Sequence, residues 1–374
     1  MAIKIWVGKR ESDILTYHYF DISITFWGSN TNNNHSFCTQ NRIKSNYGRD
    51  FTEFVIGLLK EFISSNKDIE IHFYNNVFAY KLMSLEPILK NYIVNINSKR
   101  ILDITRHKTL SRVWLQNTID VPKFACLSKS ECEYKNLTRM YPFYDKFIIQ
   151  KNISGGGDGT YLINDQNCKQ IISNLGADDV YLVSPYYEDN ISLSCHLLID
   201  HKSITVFPIS RQLLRYDNNK IAYCGNKYLD NNDNLAVQVK NKAHQIGCRL
   251  MEINYRGICG LDFIFTENRI LLVEINPRYQ GSSYLINAIL KANQLPSLFE
   301  LNSICFCSYI NSSITAQINQ MHISLESNTF IYKTNEFDNT ENYPKNVMLF
   351  LDGLPNANEY EDGVYLYRYL KTTS

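Results

Sequence analysis

Asp262, Glu274, Asn276 and Arg278 fall within one short stretch, GICGLDFIFTENRILLVEINPRYQGSS, which runs from Gly257 to Ser283. Two carboxylates and a carboxamide oxygen are hard donors that suit Mg²⁺, above all Mg²⁺ also held by substrate phosphates. The guanidinium two residues on is a planar fork for phosphate or carboxylate. The spacing is that of strands. LDFIF and ILLVEI are short, rich in branched and aromatic residues, and parted by the polar TENR. Strand side chains alternate between faces, so Glu274 and Asn276 share one. Asp262 joins them if it pairs directly across from Glu274. Thr266 then faces Ile270, and Glu267, Asn268 and Arg269 make a three-residue loop with Asn268 as its left-handed residue. Acids on an exposed edge hairpin are the plain alternative. The added run Asn276-Pro277-Arg278, followed by Gly281-Ser282-Ser283 reopening a helix, argues for a site.

A phosphate-binding loop lies upstream in KFIIQKNISGGGDGTYLI. The strand Lys146–Gln150 leads into a glycine run, and a second strand, Tyr161–Ile163, follows. Glycines let backbone N–H groups close over an anion without Cβ clashes. No Walker lysine-Ser/Thr follows the run and no helix opens after it, which excludes the P-loop and the dinucleotide fingerprint. What remains is a glycine flap between two antiparallel strands, with an acid-Asn-Arg strand downstream.

In that order the motifs resemble the ATP-grasp superfamily over roughly Ile101 to Leu290. HKTLSRVWLQNTIDVP resembles its opening helix, whose lysine, here Lys108, reaches the nucleotide phosphates. FIIQKNISGGGDGT resembles the strand and flap, which implies phosphate contacts at Gly155, Gly156, Gly157 and Gly159. YLVSPYYEDNISLSCHLLI resembles the hinge that holds adenine through backbone groups, here Tyr181, Leu182 and Val183, with an acid near the ribose. LDFIF…LLVEINPR resembles the metal strands, closest in wording to carbamoyl phosphate synthetase and biotin carboxylase. The resemblance implies ATP as cofactor and one or two Mg²⁺ on Asp262, Glu274 and Asn276. Two positions depart from the pattern. The second phosphate lysine normally precedes the flap, where Gln150 stands with Lys151 beside it, the two projecting to opposite strand faces. Many relatives carry an acid where Ser184 stands, which shifts the ribose contact to Glu188 or Asp189. Arg211, near a strand end, and Arg278 are expected to hold the substrate carboxylate or the transferring phosphoryl group.

The elements that must position these groups divide the chain into lobes, since 374 residues exceed one ordinary core. Residues 1–104 read as an N-terminal open α/β sheet: IKIWVG, ISITFWG, IEIHFYN and YIVNI as strands, and DFTEFVIGLLKEFISSN as an amphipathic helix capped by Asp50. Arg10, Glu11 and Asp13, just past the first strand, are either a solvated turn or part of a substrate site. Residues 105–182 form the first nucleotide subdomain, with the glycine flap, and 183–300 the second, with the metal site and a packing helix at Leu235–Ile253. Residues 301–374 read as a small β-rich extension, from ICFCSYI, ITAQINQMHISL, TFIYKT and VMLFLDG. It completes the active-site wall or makes a homodimer contact. His196 and His244 are ordinary histidines, with no second ligand at metal spacing.

Charge is balanced, 38 Lys+Arg against 37 Asp+Glu, which argues against nucleic-acid or membrane partners bound through a basic surface. The 10 cysteines form no CxxC pair; they read as reduced thiols of a cytoplasmic protein. The resemblance implies an ADP-forming ligase that activates a small-molecule or peptide carboxylate as an acyl phosphate for attack by an amine or other nucleophile. A phosphotransferase or carboxylating relative, and a nucleotide-binding module without catalysis, are the alternatives. No Ser/His/Asp or Cys/His nucleophile is signalled.

Overall fold

The computed structural model describes residues 2–14, 16–27, 35–39, 47–65, 68–154, 159–177, 179–217, 220–321, 347–351 and 367–371. Gly155, Gly156 and Gly157 of the flap, and the TFIYKT segment, lie outside them.

The N-terminal lobe holds β1 (Ile3–Arg10), β2 (Ile22–Trp27), β3 (Ser36–Cys38), α1 (Tyr47–Ser65), β4 (Ile69–Phe73) and α2 (Asn76–Leu85). Its four strands run parallel in the order β3-β2-β1-β4. One face, with Ile5, Val7, Ile24 and Phe26, packs on Phe51, Val55 and Leu59 of α1. Burying each such side chain contributes roughly 1.5–3 kcal/mol. The helix starts earlier than expected, so Asp50 lies in its first turn, where an acid suits the helix dipole. YIVNI is not a strand. It makes a single parallel bridge, Ile71 to Ile93, and Asn95 at φ 58° then turns the chain away.

The remaining chain builds one ten-stranded sheet flanked by helices: α3 (Lys99–Arg106), α4 (Lys108–Leu115), β5 (Ala125–Ser128), α5 (Tyr134–Met140), β6 (Phe147–Lys151), β7 (Thr160–Ile163), α6 (Cys168–Ser173), β8 (Val180–Pro185), β9 (Ile191–Ile199), β10 (Ile204–Val206), β11 (Ser210–Asp217), β12 (Lys220–Tyr228), α7 (Asn234–Glu252), β13 (Gly257–Thr266), β14 (Arg269–Asn276) and α8 (Ser283–Ala292). The strand order is β14-β13-β9-β11-β12-β7-β6-β8-β5, with β10 on β9. Among the described residues, the two halves of the sheet are joined by one ladder pair, Lys220 with Tyr161. α7 forms because Asp233 caps it at Leu235 N (2.8 Å) and Ala236, Val239, Ala243, Ile246 and Leu250 recur at helical spacing. That stripe packs on Leu193, Cys195, Leu197, Leu261 and Phe263 and backs the hairpin β13–β14.

Beyond it, two segments read as strands are helices: α9 (Leu298–Cys307) contains ICFC, and α10 (Ser312–Gln320) contains ITAQINQ. α9 is buried through Leu298, Phe299, Leu301 and Cys305 among residues of β9, β13 and the N-terminal lobe, so it is apolar on several sides and shows no helical stripe. β15 (Val347–Leu351) and β16 (Tyr367–Lys371) make a separate antiparallel pair. No described helix is long and apolar enough to cross a membrane, and the nine described cysteines are free thiols.

Candidate active site

The hairpin β13–β14 places Asp262 directly opposite Glu274. It reaches that register by another route than a three-residue loop. Thr266 pairs with Arg269, and the turn is the two residues Glu267 and Asn268, both left-handed (φ 49° and 56°). A two-residue turn with both φ positive matches the twist of the strands. The register then shifts between Asp262 and Phe263, leaving Val273 as the extra residue of a β-bulge. The one-residue offset that a longer loop would have supplied comes instead from Val273, beside the acids.

Around Asp262 the polar groups are tightly connected. Asn276 Nδ2 donates to Asp262 Oδ2 at 2.8 Å, and Gln212 Nε2 donates to Asp262 Oδ1 at 2.8 Å. Arg278 donates through Nη2 to Asn276 Oδ1 (3.1 Å) and through Nη1 to the Tyr279 carbonyl (2.9 Å), with its guanidinium 5.9 Å from the Tyr74 ring centre. Burial, and after it the facing Glu274 carboxylate, raise the Asp262 pKa to about 7 against the pull of Arg278. A buried carboxyl raised in this way gains from a cation placed beside it. The set fits Mg²⁺: oxygen donors, no thiol or imidazole, and an electrostatic deficit that a divalent cation relieves. No group of three His, Cys, Asp or Glu is placed to hold a metal among the described residues. Phosphate oxygens would therefore have to complete the coordination. As built, Asn276 turns its amide nitrogen toward Asp262, so its oxygen becomes a ligand only when the amide turns over.

The opposite wall is α4 with β6 and β8. His107 caps α4 by accepting from Leu110 N (3.3 Å). Lys108, buried at the first position, sends its ammonium to Ser154 Oγ (3.1 Å), at the base of the flap, and to within 3.5 Å of Glu274 Oε1. Helix, flap and metal strand thus meet at one cation. Phe147, Ile149, Tyr181 and Val183 face the core of the first subdomain. Alternation therefore puts Ile148, Gln150, Leu182 and Ser184 on the cleft face. Gln150 is buried there, with Nε2 on Thr160 Oγ1 (3.3 Å). Lys151 takes the other face and is exposed, its stem against Gly159. Gly159 is left-handed (φ 65°), and a Cβ there would come 2.9 Å from Lys151 Cγ.

Three expectations are corrected. Tyr181, Leu182 and Val183 pair with β6 on one side and β5 on the other. Their backbone groups are consumed by the ladders, and Ser184 and Pro185, paired with β6 alone, are where the chain leaves the β5 ladder. Glu188 pairs with Lys146 at the exposed strand start instead of standing free for a ribose. Arg211 pairs with Leu193, on the face away from Asp262, and is exposed. Its neighbour Gln212 is the residue that reaches the acid. Gln212, Ser154 and Arg112 were missed. Arg112 alone carried a local signal, one helical turn after Lys108. Arg10, Glu11 and Asp13 are buried at the end of β1, not solvated. His196 meets Ser283 Oγ at 3.0 Å with its pKa lowered by burial to about 3, and His244 meets Cys248 Sγ at 3.7 Å.

Comparison with known proteins gives the same outline. The ATP-grasp domain family matches residues 105–282. No curated protein matches the sequence. Among solved structures, the N5-carboxyaminoimidazole synthetase of Staphylococcus aureus with ADP is similar at a TM-score of 0.65 and 14% identity, covering 99% of this chain and 93% of that one. The L-amino acid ligase of Bacillus licheniformis is similar at 0.66 and 9%, over 99% and 93%. The biotin carboxylase domain of Hydrogenobacter thermophilus 2-oxoglutarate carboxylase, solved with MgADP and bicarbonate, is similar at 0.65 and 11%, over 100% and 86%.

Proposed function

We propose, from the match of residues 105–282 to the ATP-grasp domain family, that this chain is an ATP-dependent, ADP-forming ligase. It moves the γ-phosphoryl group of ATP onto a substrate carboxylate; an amine, or another nucleophile, then displaces phosphate from the acyl phosphate. The observation that carries this reading is the meeting of Asp262, Glu274 and Asn276 with Lys108 and the base of the flap at one place.

Phosphoryl transfer needs alignment and charge neutralisation more than covalent help from the protein. Asp262, Glu274 and Asn276 would hold Mg²⁺, which would supply charge neutralisation to the bound phosphates. Lys108 sits between flap and metal strand, so it gathers the phosphate tail toward Glu274. Ser154 ties that ammonium to the start of the glycine run. Arg278, held by Asn276 and Tyr279, presents its fork to the incoming carboxylate. Gln150 offers hydrogen bonds, not charge. Small-molecule carboxylate and amine substrates follow from this chemistry.

The test is a screen of carboxylates, each with and without an amine, for phosphate and ADP release. Release that needs both supports the ligase. ADP release with an acceptor alone, with the phosphoryl group retained on that acceptor and no free phosphate, would make the protein a phosphotransferase. Release with bicarbonate would make it a carboxylating enzyme. Tight ADP binding with no turnover on any acceptor would leave a nucleotide-binding module.

A further inference from the structure

Three lysine or arginine side chains are buried among the described residues: Arg10 in the N-terminal lobe, and Lys108 and Arg112, one turn apart on α4. Lys108 has a carboxylate nearby. Arg112 does not. Its Nη1 donates to Ser184 Oγ at 2.9 Å, while Nε and Nη2 both donate to the Val273 carbonyl, at 3.3 and 3.2 Å. Every one of these acceptors is neutral. The Phe124 ring, 5.8 Å away, covers another side. The guanidinium therefore spans the cleft floor, from the cleft face of β8 to the bulge that adjoins Glu274.

Hydrogen bonds satisfy its donors but do not neutralise its charge. A cation taken out of water costs several kcal/mol unless an anion compensates it. Glu274 is the carboxylate that acts on Arg112, without forming an ion pair with it, and it already lies 3.5 Å from Lys108. Burial accordingly lowers the Arg112 pKa to about 10, which still leaves it charged at neutral pH. The cleft side of β6 and β8 brings no further cation, since it shows Ile148, Gln150, Leu182 and Ser184. The described floor thus takes both its cations from helix α4, Lys108 beside Glu274 and Arg112 with only neutral hydrogen-bond partners.

We propose that Arg112 is an electrostatic positioning residue for the nucleotide: from beneath the floor, and without touching it, the guanidinium supplies positive potential that holds the phosphates. This inference rests on the nucleotide-binding half of the function proposed above. A plain strut, pinning the Val273 bulge to the hinge through hydrogen bonds alone, is the competing account. The two differ in what can replace Arg112. A field can be restored by a cation placed elsewhere on the same floor; a strut cannot.

The experiment measures ADP affinity by titration calorimetry, with melting temperature as the check on folding. Arg112→Gln should weaken ADP binding about tenfold, the size of one unscreened charge at several ångströms. Gln150→Lys, which adds an ammonium to the cleft face two residues along the ladder from Ser184, should restore most of that loss in the double variant. Arg112→Lys, which keeps charge but not the fork, should stay within about threefold of the parent protein, since ordinary hydrogen-bond losses are of that order. A folded double variant as weak as Arg112→Gln alone would overturn the proposal. So would a folded Arg112→Lys that loses the full tenfold. Where Arg112→Gln does not fold, Arg112→Lys decides. If the unaltered protein binds no ADP at all, the function proposed above fails instead, before Arg112 is tested.

Discussion

The two walls of the cleft obtain their charge differently. On the β13–β14 wall, acids and amide stand on paired strands at positions fixed by alternation and register, and each is held by a neighbour: Asp262 by Gln212 and Asn276, Asn276 by Arg278. On the α4–β6–β8 wall the strands are neutral and both cations come from one helix, Lys108 directed at the flap and Arg112 beneath the hinge. A strand-borne site is rigid and intolerant, because each position has one face and one partner. A helix-borne charge reaches the cleft end-on, so its effect depends on field more than on contact.

Substitutions can break or sharpen that contrast. The largest effect is expected for Glu274→Gln, which removes one anion from the metal set with little change of shape. Turnover should fall by about a thousandfold, since losing an anionic ligand costs several kcal/mol of transition-state stabilisation. Normal ADP release from a folded Glu274→Gln protein would dismiss the hairpin as a metal site.

The pH behaviour of Asp262 comes next. Its pKa, ordinarily 3.8, is raised in the folded protein to about 7 by burial and Glu274. The folded state therefore binds the proton more tightly than the unfolded one. The stability this group contributes is fully present below about pH 4 and lost as pH rises through about 7. In magnesium-free buffer Asp262→Asn should raise the melting temperature more at pH 8 than at pH 5, and least below about pH 4. Equal effects at the two pH values would mean the acid is not strained.

Gly260→Ala probes how closely that wall is built. A Cβ there would come 2.0 Å from Gln280 Cδ, on the strand position between Asn276 and His196. Overpacking of this kind costs about 1–3 kcal/mol, read as a lower denaturation midpoint. An unchanged midpoint would show that Gln280 can move aside. The smallest effect belongs to the other wall. Lys151→Ala removes an exposed lysine on the face away from the cleft, so ADP affinity should stay within about twofold, as surface changes do. A tenfold loss would return Lys151 to the phosphates and displace the account given for Gln150 and α4.

The elements differ in how far their sequences revealed them. The α7 stripe and the strands LDFIF and ILLVEI were legible because their periods, 3.6 and 2, show one buried face. ICFC and ITAQINQ were misread because α9 is enclosed on several sides, and a short apolar run with no polar face does not tell helix from strand. The hinge was placed on Tyr181–Val183 by likeness of wording. Only the sheet order, with β8 between β6 and β5, removes those backbone groups from use. Gln212 and Arg112 had no spacing that could connect them to acids far along the chain.

By itself, then, the sequence determined that Asp262 meets Glu274, with Asn276 on the same face, because alternation and pairing turn residue spacing into position. It also determined that a glycine loop follows β6. The tertiary structure alone decided that Arg112 joins Lys108 beneath the hairpin, while Lys151 and Arg211 lie on other faces. A charge acts on whatever lies within a few ångströms, and those neighbours are brought together by packing of segments distant in the chain.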